Sequence, residues 1–174
     1  EERLGAHAQK LQQKQVFVLP AFAFLETHPP DDFRVLESKA NLVQNLRGNN
    51  ATVVKYNYEA GHRRTDFMRW MNSKEIYKII YEYKFEPYVL MFTVDVLHYP
   101  ETFLGYFFDK ASLFAEMACS KYTYHVLPDV YVVHLYHPPT LHAALNYYEC
   151  SNRLRITWTN QVLKQRYNLK RMPW

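Results

Sequence analysis

FEPYVL (Phe85–Leu90), PETFLGYFFDKASLFAEM (Pro100–Met117) and YTYHVLPDVYVVHLYH (Tyr122–His137) decide how this chain is read, because they set acids and histidines at the ends of regular elements. Within the last of them, Asp129 to Tyr136 puts Val130, Val132 and His134 on one face and Tyr131, Val133 and Leu135 on the other. A run apolar on both sides reads as a buried strand. His134 then stands near the carboxyl end of a covered strand, the edge at which open α/β sheets collect ligands. A neutral imidazole there can bind a divalent ion through its free ring nitrogen, or sit hydrogen-bonded within the core. His137 follows three positions on, but two residues do not make a metal site, and the zinc spacings are absent.

Outward from that run, Pro87 biases Glu86 toward an extended backbone between two expected strands, Ile76–Phe85 and Val89–Val96. The Glu86 carboxylate reads either as a cleft residue, able to act as a general base, or as a solvated turn acid. Asp109 makes a cap for a helix over Lys110–Met117, in which Glu116 lies among Leu113, Phe114 and Met117. A carboxylate in apolar company must be paired or protonated, so Glu116 is a tether to backbone amides or Lys110, or a cleft residue. Toward the start, Val16–Phe24 is a short apolar strand that ends or bends at Pro20. THPPDDF then denies amide donors, and Asp31-Asp32 reads as a solvated loop. Ser38 caps a helix through about Leu46 with Gly48 at its stop, and Lys39 in the first turn can reach an anion gathered there. Thr65 caps a further helix that packs Phe67 and Trp70. From Thr140 to Tyr167 a broken helical segment carries Leu154, Trp158 and Val162 as a docking stripe.

With 174 residues the chain fits one domain or part of a larger one, at about 100–200 residues per domain. Its 48% hydrophobic and 17% aromatic content exclude a disordered chain and demand a substantial core. A formal charge of +4, with basic residues alternating with acids outside Lys164, Arg166, Lys170 and Arg171, gives no sign of nucleic-acid binding. No apolar run reaches the length of a membrane span. The polar lead-in over residues 1–15, without an initiator methionine or signal segment, reads as the start of an internal fragment, with residues 16–174 as the C-terminal portion of one domain. Asn50-Ala51-Thr52 is a glycosylation sequon compatible with a secretory lumen. Cys119 and Cys150 are a disulfide or two free thiols.

Read without gaps, FLGYFFDKASLFAEMACSKYTYHVLPDVYVVHLYHPP (Phe103–Pro139) resembles the C-terminal half of the LARGE-type glycosyltransferases, which include glucuronyltransferases that extend the sugar of dystroglycan. VFVLPAFAF (Val16–Phe24), SKANL (Ser38–Leu42), TDFMRW (Thr65–Trp70) and FEPYV (Phe85–Val89) carry the same resemblance in the family's order, over roughly Val16–Tyr167. The resemblance implies an α/β fold of the GT-A nucleotide-sugar type, with a mixed sheet flanked by helices. It implies inverting transfer of a sugar such as glucuronate or xylose from a UDP-sugar to a glycan or glycoprotein acceptor. It also implies manganese (Mn2+) as cofactor and a place in the Golgi lumen, with any membrane anchor outside this segment. His134 matches the family's late metal-binding histidine, and His137 could touch the diphosphate. Glu86 is the first candidate for the base and Asp109 the second, while Trp70 is a sugar platform or a core residue on the acceptor side. The chain departs from the family at Pro100 and Phe107, where relatives often carry aspartate and glycine, and no Asp-x-Asp pair occurs in it. The expected alternative is therefore a non-catalytic glycan- or protein-binding relative of the secretory pathway. A metallohydrolase using His134 and His137 is the weakest reading, since no nearby pair of carboxylates supports it.

Overall fold

The structure is a computed structural model and describes residues 14–24, 37–54, 59–103, 107–135 and 145–173. Pro20 divides the first apolar run into β1 (Gln15–Leu19) and β2 (Ala21–Phe24), which belong to different sheets. Lacking an N–H, Pro20 cannot continue a ladder from both sides. Its carbonyl instead accepts from Val132 N at 2.9 Å, while Val18 O accepts from Leu127 N at 3.1 Å and Ala21 O from Val54 N at 3.0 Å.

A second strand pair crosses between the sheets beside the first. β6 (Thr123–Val126) runs parallel to β1 with Val16 opposite Tyr124, and β7 (Val132–His134) runs parallel to β2 with Phe22 opposite Val133. With β3 (Ala51–Val53), β4 (Tyr77–Ile79) and β5 (Tyr88–Leu90) added antiparallel, the sheets read β4-β6-β1-β5 and β3-β2-β7. The architecture is thus mixed α/β. Val16, Val18, Phe22, Phe85, Tyr124 and Val126 are almost wholly buried in one core between these strands and the helices.

The strands are shorter than the sequence patterning predicts. Of Ile76–Phe85 only Tyr77–Ile79 pairs, and of Val89–Val96 only the first residues pair, the chain turning into a 3-10 helix at Thr93–Asp95. The expected buried strand over Asp129–Tyr136 is also corrected: within the described residues only Val132–His134 pairs, Val130 and Leu135 are exposed, and its valines are half-buried.

Helix α1 (Lys39–Arg47) is capped as expected by Ser38, whose Oγ accepts from Asn41 N at 3.1 Å, and it stops at Gly48. In α2 (Phe67–Asn72) the cap is Asp66, not Thr65. Asp66 takes a left-handed φ of 54°, a conformation its short polar side chain tolerates, and Oδ1 accepts from Arg69 N at 3.1 Å. Thr65 is buried one position earlier, where its carbonyl accepts from Tyr77 Oη at 2.6 Å. Helix α3 (Asp109–Cys119) begins at Asp109 rather than after it. Phe108 occupies the cap position at φ 63° with no side-chain cap bond, and Asp109 lies in the first turn, where the helix dipole favours a carboxylate.

Helix α4 (Leu145–Thr157) continues through a π-helical segment, Trp158–Leu163, into a last turn at Lys164–Arg166. The wider π turn shifts the buried stripe, so that Trp158, Thr159 and Leu163 face the core while Leu154 is 37% exposed. Glu116 on α3 is the tether between these helices. It pairs with Arg166 and accepts from Tyr167 Oη at 2.9 Å, not from backbone amides or Lys110, and Ser120 Oγ donates to Tyr167 Oη at 2.8 Å.

Trp70 is completely buried, its Nε1 donating to Leu127 O at 3.0 Å and its ring lying 4.9 Å from Phe22 and 5.7 Å from Tyr131. Trp70→Phe keeps an aromatic ring but orphans a part-buried carbonyl, so urea denaturation is expected to show a loss of about 1–3 kcal/mol. Both cysteines are free thiols. Cys119 is buried, and burial, then the Glu116 charge, pushes its thiol up to about 11. Alkylation of the folded protein at pH 8 is therefore expected to label exposed Cys150 and spare Cys119, whose thiolate fraction is on the order of 10⁻³. Peptide mapping with and without denaturant checks this.

Candidate functional site

β1 and β6 both point their carboxyl ends, Leu19 and Val126, at the same edge of the larger sheet. Antiparallel β5 enters that edge with Tyr88 opposite Leu19, so Glu86, two residues earlier, lies beyond the end of β1. Its position is fixed from several sides. Glu86 N donates to Gly61 O at 2.9 Å, and Phe85 N donates to Glu82 O at 3.0 Å with the Phe85 side chain wholly buried. The Glu82 carboxylate accepts from Arg63 Nε at 3.0 Å and pairs with Arg64, joining the turn before Glu86 to the segment after Gly61.

Tyr88 is the meeting point of this edge. The His62 ring stacks on it with centroids 6.4 Å apart and planes 13° from parallel, and Lys110 Nζ lies 4.6 Å from the centre of its ring. His62 is 5% exposed and enters the site unannounced by the sequence. In AGHRRT it sits in a polar stretch without periodicity, and only its stacking reveals it. Lys110 brings the start of α3 to the same tyrosine, so Glu86 and Asp109 stand on elements that converge there. The Tyr99 hydroxyl is held above its ordinary range by burial and then by the negative charge of Asp109.

Two more of the predicted residues, Lys39 and Trp70, meet at the seam between the sheets. Lys39 Nζ donates to Ser73 O at 2.6 Å and lies 4.5 Å from the Trp70 ring. Burial pushes the ammonium below its ordinary range, against the pull of Asp129. Two of its three protons are left for other acceptors by the Ser73 bond. Trp70, expected as a sugar platform or a core residue, is a core residue: a ring at 0% exposure, packed by Phe22, Tyr131 and Lys39, offers no face to a sugar.

His134 ends β7 opposite Ala23 and is exposed, which corrects its expected place in a covered strand. His137 and Asp31-Asp32 lie outside the described residues. Among the described residues no three of His, Cys, Asp and Glu gather as metal ligands. Among the described residues only His134 of the predicted site could give a nitrogen to a manganese ion, which wants several hard oxygen ligands besides.

Residues 2–168 match the family described as glycosyl-transferase for dystroglycan. The glycosyltransferase-like protein gnt14 of Dictyostelium discoideum is 35% identical over 123 residues, 70% of this chain and 19% of that protein. Xylosyl- and glucuronyltransferase LARGE2 of Rattus norvegicus is 29% identical over 162 residues, 90% of this chain and 23% of that protein. Xylosyl- and glucuronyltransferase LARGE1 of Danio rerio is 30% identical over 128 residues, 73% of this chain and 16% of that protein. The chain thus spans about a fifth of the length of these relatives. With a family match over residues 2–168, almost its whole length, this chain belongs to the glycosyltransferase family for dystroglycan.

Proposed function

We propose that this chain forms the acceptor side of a GT-A-type glycosyltransferase in the Golgi lumen, transferring a sugar such as glucuronate or xylose from a UDP-sugar to a glycan acceptor. The observation that supports it most is the position of Glu86, held by Gly61 beyond the carboxyl end of β1, beside the His62–Tyr88 stack. In this reading Glu86 takes the proton from an acceptor hydroxyl as its oxygen attacks the anomeric carbon. The new C–O bond forms on one face while the bond to the diphosphate breaks on the other, so UDP leaves and the configuration inverts. Asp109 is the second candidate for that proton, because the start of α3 meets the same tyrosine through Lys110. Lys39 is proposed to offer its remaining ammonium protons to an anion near the seam. Manganese belongs to the proposal with His134 giving one nitrogen and the other ligands, His137 or a donor-binding half, lying outside the described residues.

A second reading, a non-catalytic glycan- or protein-binding relative, is favoured by one feature: Pro100 and Phe107 stand where the resemblance implies aspartate and glycine.

The test uses the full-length protein and a radiolabelled UDP-sugar. Glu86→Gln is expected to lower kcat by about 10²–10⁴-fold while leaving UDP binding unchanged. Calorimetry of UDP with and without manganese, on the native protein and His134→Ala, is expected to show binding that needs the metal and weakens in the variant. Full turnover by Glu86→Gln removes Glu86 as the base. Absence of both turnover and UDP binding in folded protein leaves the glycan-binding relative.

A further inference from the structure

The sequon Asn50-Ala51-Thr52 occupies the turn from α1 into β3 and is the single Asn-x-Ser/Thr sequence in the chain. Asn49 takes the left-handed φ of 58° that reverses the chain, and Asn50 N donates to Asn45 O at 3.0 Å, which leaves the Asn50 side chain exposed. Next to it is an open hollow of about 390 Å³ lined by Asn41, Gln44, Asn45, Gly48 and Asn50, four amide side chains and a glycine. Gly48 has φ −82°, which any residue adopts, so the backbone does not call for glycine there. A Cβ at Gly48, which lines the hollow, would stand 3.4 Å from Gln44 O and 3.6 Å from Asn50 Nδ2.

We propose that Asn50 carries an N-linked glycan whose first sugar seats in this hollow, with the amides of Asn41, Gln44 and Asn45 as its polar lining. The donor class is a lipid-linked oligosaccharyl diphosphate. Asn50 Nδ2 attacks the anomeric carbon, the N–C bond forms, the C–O bond to the diphosphate breaks, the lipid diphosphate leaves, and the amide gives up one proton to a base of the transferring enzyme. Thr52, half-buried in the folded protein, pairs with Ala23 in the β2–β3 ladder, so the modification precedes folding of β3. Once β3 closes, the Asn50 side chain remains outside and the glycan lies over the amide face of α1. The proposal is independent of the role assigned to Glu86.

The protein, expressed behind a secretory signal in eukaryotic cells, is digested with peptide:N-glycosidase in heavy-oxygen water and mapped by mass spectrometry. The peptide containing Asn50 is expected as heavy-oxygen aspartate, with the signal lost in Asn50→Gln and kept in Thr52→Ser. Recovery of that peptide only as unmodified asparagine overturns the proposal. The seat is tested separately by trimming the glycan to its first sugar. The trimmed protein is expected to melt at a higher temperature than the fully deglycosylated one, and Gly48→Leu, which fills the hollow, is expected to erase that difference. Equal melting temperatures in the native sequence overturn the seat.

Discussion

Where β1 and β6 leave one sheet and β2 and β7 enter the other, the backbone must satisfy its polar groups away from any regular ladder, and the bond from Trp70 Nε1 to Leu127 O is what closes this seam. Buried carbonyls without partners are costly, and Leu127 sits at the end of β6 with its N–H already given to Val18 O. The indole satisfies the carbonyl while filling the space between Phe22 and Tyr131, so one residue serves both polar pairing and packing. Lys39 then lies across the ring and reaches Ser73 O, which ties the first turn of α1 to the end of α2. The edge that carries Glu86 depends on this arrangement, since β1 and β6 present their ends together only while the seam holds.

The start of α3 carries a different constraint. Phe107 and Phe108 have φ values of 79° and 63°, a region that costs a bulky residue roughly 1–2 kcal/mol each. Both phenylalanines thus stand on a backbone that glycine adopts more readily. The rings recover part of that cost by packing on Tyr148, at 5.3 and 5.7 Å, with the Arg155 guanidinium 5.0 Å from the Phe108 ring. Asp109 and Lys110 follow directly, so the strained pair aims the helix start toward Tyr88.

Charge in this protein is spent on joining segments distant in sequence. Glu82 holds Arg63 and Arg64 against the turn that leads to Glu86, and Glu116 holds Arg166 and Tyr167 against α3. The arginines are about half exposed, so each pair contributes modestly to stability. Their larger effect is geometric, since each fixes where a neighbouring backbone segment runs.

Much of the architecture was legible in the chain itself, because it rests on local chemistry. The Pro20 break, the Ser38 cap and the need to pair Glu116 follow from a missing N–H, a short hydroxyl and a buried charge. The family match was readable for the same reason, as ordered blocks of residues. What the tertiary structure alone decided depends on distant neighbours. Strand length follows from available partners, which is why Asp129–Tyr136 yields so short a ladder among the described residues and leaves His134 exposed. The choice of Asp66 over Thr65 as cap turns on Tyr77 claiming the Thr65 carbonyl from another strand. Whether Trp70 met a sugar or the core was settled by Leu127, fifty-seven positions away, whose carbonyl needed a donor. The stacking of His62 on Tyr88 has no local signal, because a ring contact between segments exists only once both are folded.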